Sequence, residues 1–77
     1  MVIDEQIERK LSDIVGQKDV KSLILKTSPI LGAYLTRGFS SYVSKWKRKY
    51  KVKIKVEEIA EFTILQNDFY NEKGEKL

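Results

Sequence analysis

The sequence contains no cysteine, no histidine and only one proline. The first two absences exclude disulfides, thiolate or imidazole metal ligands, and any catalytic triad that needs an imidazole base. No apolar run approaches the roughly 18 residues of a membrane-spanning helix, and residues 1–10 are too charged for a secretory signal. We therefore expect a cytoplasmic, soluble protein with no membrane partner, stabilised by packing alone.

The chain length sets the second limit. With 77 residues, of which 42% are hydrophobic, the chain can form one small core, and a fold of this size buries only about 60% of the surface of its unfolded chain. We expect one domain over residues 1–70. Residues 71–77 are polar and contain Gly74, and we expect them to form a flexible tail.

Hydrophobic spacing predicts three helices and three strands. Apolar residues recur at helical spacing from Ile3 to Val15, and Ser28 before Pro29 is typical of a helix start. From Lys51 to Val56, lysines alternate with aliphatic residues, as in a half-buried edge strand. The predicted helices are 3–15, 29–37 and 40–50, and the predicted strands are 20–26, 51–56 and 62–70.

Three finer expectations concern burial. The run 23–25 is entirely apolar, which predicts a first strand that is buried on both faces. The alternation in the last strand slips near Leu65, where a bulge would account for it. In the second helix we expect five residues to pack inward: Ile30, Leu31, Ala33, Tyr34 and Leu35.

The order of elements predicts the fold class. We expect an α+β domain in the order α-β-α-α-β-β, with a three-stranded sheet packed on helices in two layers. A winged helix has the same succession and is the alternative. In that case the last two strands would form a hairpin, and Lys45, Arg48 and Lys49 would face duplex DNA from a recognition helix.

Basic side chains are concentrated between residues 45 and 55. This segment carries a charge of +7 with no acid, whereas the other residues hold eight bases and eleven acids. Such a cluster could neutralise nucleic-acid phosphates, or it could simply be a solvated helix face followed by a protected edge strand. The candidate nucleic-acid-binding residues are Lys45, Lys47, Arg48, Lys49, Lys51, Lys53 and Lys55.

Aromatic residues are interleaved with these bases. Tyr42, Trp46 and Tyr50 could stack on exposed bases. On a helical wheel, however, they share one sector with Phe39 and Val43, which favours an interpretation as core residues.

No residue set predicts a catalytic or metal site. The carboxylates Asp4 and Glu5, and likewise Glu57 and Glu58, are sequence neighbours, and side chains of neighbouring residues point apart on a helix or strand. The serines lack a partner base and suit helix caps better than nucleophiles. We expect no catalytic residue, metal ligand or cofactor in this chain.

One further pattern spans about two-thirds of the sequence. A hydrophobic strand is followed by Pro29 at a helix start, by Gly38, by the pair Trp46 and Lys47, and by a terminal strand ending in Phe69 and Tyr70. The runs LILKTSPILGAYLTRGFSSYVSKWKRKYKVKIKV and FTILQNDFYNEKGE resemble the C-terminal small domain of the ribonuclease E/G family, in its ribonuclease G branch.

The resemblance implies a non-catalytic domain of an Mg²⁺-dependent endoribonuclease that cuts single-stranded RNA, matures rRNA and degrades mRNA. The catalytic aspartates of that family lie upstream, as do its S1 domain and its zinc-linking cysteines, so Mg²⁺ would belong to the parent enzyme. The small domain of the family helps subunits associate and lies beside the RNA path. The expected partners are RNA through a weak contact, the rest of the parent ribonuclease, and other subunits in a homo-oligomer.

Overall fold

The computed structural model describes residues 2–77, and for Val2 the backbone only. Its six elements follow the predicted order, and the α+β class is confirmed. They are α1 (Val2–Gln17), β1 (Ser22–Thr27), α2 (Pro29–Thr36), α3 (Tyr42–Tyr50), β2 (Lys53–Glu58) and β3 (Asn67–Tyr70).

The three strands form one mixed sheet in the order β2-β1-β3. In the middle, β1 pairs in parallel with β2, so that Leu25 lies opposite Val56. On its other side β1 pairs antiparallel with β3, and Leu25 lies opposite Phe69. A parallel pair needs a long crossover connection, and α2 and α3 provide it.

This topology overturns the winged-helix alternative. A wing requires the last two strands to pair as a hairpin, but here β1 lies between them. The segment 59–66 instead passes over the end of β1, where the Ile59 amide donates to the Thr27 carbonyl at 2.7 Å and the Ser28 amide donates to the Gln66 carbonyl at 3.3 Å. The chain therefore reaches the far edge of the sheet, and α3 packs on α1, α2 and β2 instead of standing free for a DNA groove.

One face of the sheet is covered by the helices and holds the core. Leu23, Leu25 and Thr27 of β1 point into it and are almost completely buried. From α1, Ile3, Ile7 and Leu11 contribute at successive turns because a four-residue spacing keeps them on one helix face. The other buried apolar residues are Leu31, Leu35, Val43, Trp46, Val52, Ile54 and Phe69.

Caps define the helix boundaries. The Ser28 hydroxyl accepts from the Leu31 amide at 3.1 Å, with Pro29 in the first helical position. Ser41 does the same for α3, where its hydroxyl accepts from the Ser44 amide at 3.1 Å, and so α3 begins at Tyr42 and not at residue 40. Lys51 ends α3 in the left-handed conformation, with φ 55°.

The third strand is shorter than predicted. It begins at Asn67, because residues 59–66 form turns in which the Thr63 amide donates to the Gln66 side chain at 3.1 Å. The slip in alternation near Leu65 is therefore a turn and not a bulge. The first strand also differs, since its burial alternates along its length and only one of its faces is covered.

Some apolar residues predicted to be buried are exposed. Ile30 is 64% exposed in the first turn of α2, and Ala33 is exposed further along that helix. Phe39 is 101% exposed because it precedes the cap of α3 and lies in a turn, where helical periodicity does not apply.

Residues 71–77 follow a defined path beside β3. The Asn71 side chain accepts from the Lys73 and Glu75 amides, both at 2.9 Å. The Leu77 amide donates to the Phe69 carbonyl at 2.9 Å, and Leu77 packs against the core. The structure thus gives this segment contacts that its composition did not suggest, while its flexibility in solution stays a prediction. Within residues 2–77 no helix combines the length and apolarity needed to cross a membrane.

Candidate nucleic-acid interface

The seven candidate basic side chains are all exposed. They lie on α3, on β2 and on the short connection between the two, so they form one stretch that is continuous in sequence. This stretch nevertheless divides into two sides, because α3 belongs to the helical layer and the lysines of β2 point to the uncovered face of the sheet.

On the sheet side, Lys47, Lys53 and Lys55 line one groove of about 570 Å³. The register places Lys53 opposite Ser22 and Lys55 opposite Ile24, and both β1 residues also line the groove. Lys47 reaches it from the last turn of α3, where its carbonyl accepts from the Val52 amide at 3.3 Å. Three cations therefore face one concave surface.

On the helix side, two lysines contact neighbouring side chains. Lys45 Nζ lies 5.7 Å from the centre of the Tyr42 ring. Lys49 Nζ lies 2.7 Å from Glu8 Oε2 and 5.4 Å from the Tyr50 ring centre. These contacts direct both ammonium groups toward the helical layer and away from the groove.

The Glu8 ion pair reduces the positive charge on this side. Hydrogen bonds from Lys49 and then from Tyr50 hold the pKa of the Glu8 carboxyl below its usual value. The same hydrogen bond to Glu8 raises the pKa of Lys49. Both groups are therefore charged at neutral pH, and the Lys49 charge is partly balanced before any phosphate arrives.

Most of the other cations have no acidic partner. Lys55 lies 3.7 Å from Glu57, which is a long and exposed contact of little strength. Within residues 2–77 no ion pair involves the remaining five, which are Lys45, Lys47, Arg48, Lys51 and Lys53.

The aromatic residues of α3 are packed, as their wheel positions predict. Trp46 is 3% exposed, and Tyr42 and Tyr50 are half-buried against the core. The Tyr50 hydroxyl donates to Glu8 at 2.8 Å. Their rings therefore support the helix, and the Tyr42 ring also contacts the rings of Tyr34 and Trp46.

Tyr34 connects this cluster to α1. Its hydroxyl lies 3.3 Å from the Tyr42 hydroxyl and 3.4 Å from Asp4 Oδ1. The hydrogen bond with Tyr42 and partial burial raise the pKa of Tyr34 to about 12. The phenol stays protonated near neutral pH, so its role here is to donate a hydrogen bond and not to act as a base.

The carboxylate pairs do not converge on a common point. Glu57 and Glu58 are consecutive on β2 and therefore point to opposite faces of the sheet, Glu58 toward Gly32 of α2. Among residues 2–77 no group of three or more carboxylates could hold a metal ion.

The sequence interpretation missed the residues of β1 and β3 that adjoin the lysines. Because β1 was predicted to be buried on both faces, Ser22, Ile24 and Lys26 were not considered as surface residues. The register places Ile24 between Lys55 and Tyr70, and Lys26 Nζ lies 4.4 Å from the Tyr70 ring centre. The signal in the sequence was that Ser22 and Lys26 are polar and lie two positions before and after Ile24, as on one exposed face of a strand. The entirely apolar run 23–25 obscured this alternation.

No protein-family model, curated protein or solved structure matches this chain.

Proposed function

We propose that this chain is a non-catalytic C-terminal domain of a ribonuclease G-like, cytoplasmic endoribonuclease, where it contacts RNA and helps subunits associate. The observation that carries the RNA contact is the exposure of all seven basic side chains of residues 45–55, five of them without an ion pair in the described chain. The resemblance of residues 23–75 to the small domain of that family supports the assignment to a ribonuclease.

The charge distribution favours binding of a polyanion such as RNA at one place on the surface. The segment 45–55 carries +7, and the eleven acids of the chain all lie outside it. A polyanion would therefore bind in one orientation, with α3 and β2 toward it. In the parent enzyme, Mg²⁺ and the cutting of RNA would belong to other parts of the protein.

Subunit association is supported by a second surface. Ile64 and Leu65 are 61% and 51% exposed, and Ile30 is 64% exposed. The Ser28 hydroxyl donates to the Ile64 carbonyl, so the backbone of Ile64 lies beside the start of α2, two residues from Ile30 in sequence. Exposed apolar groups at one place are typical of a contact surface, and we assign this one to a second copy of the chain.

RNA binding is tested by fluorescence anisotropy of a labelled 12-nucleotide single strand at about 50 and 200 mM salt, beside a labelled DNA duplex. The wild-type chain should bind RNA at the lower salt concentration and lose affinity at the higher one. Replacing Lys47, Lys51 and Lys53 by glutamine should lower the slope of log K against log salt by about 2, since each phosphate contact to a single strand contributes about 0.7.

The matched control replaces Arg9, Lys18 and Lys73 by glutamine, which removes the same charge from exposed positions outside the segment. We expect this variant to keep the wild-type slope. Equal losses in the two variants would mean that net charge alone attracts RNA. Absence of binding at 50 mM salt, or a preference for the DNA duplex, would overturn the proposal.

A further inference from the structure

The uncovered face of the sheet carries an ordered set of side chains. Paired residues of neighbouring strands point to the same face. The register therefore forms a row in which Ile24 lies between Lys55 and Tyr70, and next to it a row in which Lys26 lies between Glu57 and Asp68. Among residues 2–77 no helix packs on this face, because the helices cover the opposite one, into which Leu23 and Leu25 point.

We infer that single-stranded RNA lies across this uncovered face, with phosphates on Lys47, Lys53 and Lys55 and bases against Ile24 and Tyr70. The inference rests on the proposed RNA contact and names its site and the kind of nucleic acid that it takes.

Charge and spacing place the phosphates along β2. Lys53 and Lys55 are two residues apart on one strand, so they project from the same face about 6.8 Å from each other. That separation suits successive phosphates of an extended strand. Lys47 adds a third cation in the same groove, and neither Lys47 nor Lys53 has an ion pair within residues 2–77.

Apolar and aromatic surface lies beside these cations. Ile24 is half-buried in the middle of the sheet, and Tyr70 is half-buried one strand further, about 10 Å from β2. Lys26 Nζ lies over one face of the Tyr70 ring at 4.4 Å from its centre, so the flexible Lys26 side chain must move aside where a base stacks on that face. A single strand can place its bases on such a surface while its backbone lies along the lysines. Other RNA-binding sheets hold single strands in this way, with bases stacked on their aromatic side chains.

A duplex fits this surface poorly. Its bases are stacked inside, so the sheet face meets only the phosphates and cannot use Ile24 or Tyr70. The distinction between single and double strands therefore depends on the apolar row, whereas the salt dependence depends on the lysines.

The test measures anisotropy of fluorescein-labelled dodecauridylate, and of the same strand annealed to its complement, with the full 77-residue chain. Lys53→Gln with Lys55→Gln should lower the salt slope by about 1.4, at about 0.7 for each phosphate lost. The comparison variant is Lys45→Gln with Arg48→Gln, which removes the same charge from two positions of α3 that do not line the groove, and it should lower the slope less than the first pair does.

A second pair of variants tests the bases. Tyr70→Ser should weaken binding of the single strand at least fivefold, the lower end for loss of one stacked base, and leave duplex binding unchanged. Phe39→Ser is the control, because Phe39 is a fully exposed aromatic residue that lies outside the sheet. Ile24→Thr replaces Tyr70→Ser if circular dichroism shows that the latter has lost its fold.

Each outcome decides between the two proposals. Wild-type binding that depends on Lys45 and Arg48, but not on Lys53, Lys55 or Tyr70, would overturn the open-face site and leave the general RNA contact standing. Equal affinity for the duplex would also overturn the site. Absence of RNA binding at low salt would overturn both, and an ultraviolet cross-link of dodecauridylate to the peptide holding Tyr70 would support the site directly.

Discussion

Gly32 lies where α2 comes close to the sheet. A Cβ atom at this position would be 2.8 Å from Thr27 Oγ1 and 3.0 Å from Glu58 Cγ. Glu58 could swing outward because it is exposed, but Thr27 is fully buried and its hydroxyl is already hydrogen-bonded to the Ser28 carbonyl at 2.9 Å. The absence of a side chain therefore sets the distance between α2 and β1.

We expect Gly32→Ala to destabilise the fold by about 1–2 kcal/mol. Overpacking costs about 1–3 kcal/mol of stability. This cost outweighs the gain of up to about 1 kcal/mol that comes from replacing glycine by alanine inside a helix. Urea denaturation followed by circular dichroism measures the difference. Gly16→Ala is the control, since Gly16 is helical and nothing lies within 4 Å of its added Cβ, so it should be stabilising. Stabilisation by both substitutions would show that α2 can move away from the sheet.

Single residues were predictable from sequence where a local rule determines them. Ser28 and Pro29 were identified as a helix start because capping depends on three or four adjacent residues. The lysines of β2 were predicted to be exposed because alternation places them opposite Val52 and Ile54. Phe39 was assigned to the core because its wheel position assumed that the helix already included it, which only the cap at Ser41 decides.

At the scale of the elements, the position of the segment 59–66 depends on the side chain of Ser28. The Ser28 hydroxyl accepts from the Leu31 amide and also donates to the Ile64 carbonyl, and Ser28 is 2% exposed. One hydroxyl therefore caps α2 and attaches the connection between β2 and β3 to it. Ser41 caps α3 in the same way, but its second hydrogen-bond partner is the half-exposed Ser44 hydroxyl.

Ser28→Ala should therefore cost more than Ser41→Ala. Loss of a cap costs about 1 kcal/mol, and loss of the part-buried hydrogen bond to the Ile64 carbonyl adds about 1 kcal/mol. We expect thermal unfolding midpoints to fall by about 8 °C or more for Ser28→Ala and by about half as much for Ser41→Ala. Equal decreases would mean that water replaces the hydroxyl at Ile64, and that the connection does not depend on Ser28.

The same connection explains why β3 was predicted to be too long. Residues 62–65 are apolar or β-branched, and composition alone favours a strand there. Their backbone lies over the end of β1 and not beside it, and Ser28 donates the hydrogen bonds to the Ile64 and Gln66 carbonyls that a sheet partner would have donated. Pairing with a distant strand is a tertiary property, and sequence spacing does not record it.

For the whole molecule, the order of elements was predictable and the strand order was not. Six elements follow from periodicity, but a winged helix and the observed sheet share that succession. What separates them is the position of β1 between β2 and β3, which forms the row of Lys55, Ile24 and Tyr70. The lysines could be predicted as candidate RNA contacts from sequence, whereas their apolar neighbours required the sheet topology.

We expect copies of the chain to associate through the exposed residues Ile30, Ile64 and Leu65. Three side chains cannot supply the roughly 800 Å² per partner of a stable interface, so we expect association only at high protein concentration. Sedimentation equilibrium should show a rising average mass for the wild-type chain. Ile64→Lys with Leu65→Lys should abolish the rise, because both positions are exposed and the new charges would repel in a symmetric contact.

Phe39→Lys is the matched control, since it removes a more exposed apolar group from a turn at a different place in the fold. If Phe39→Lys alone abolishes association, the contact lies at the turn between α2 and α3, and our assignment of the surface is wrong. If the wild-type chain stays monomeric at every concentration, these apolar residues do not join copies of this chain. RNA binding by the monomer would then stand without subunit association, because the basic residues lie on other elements.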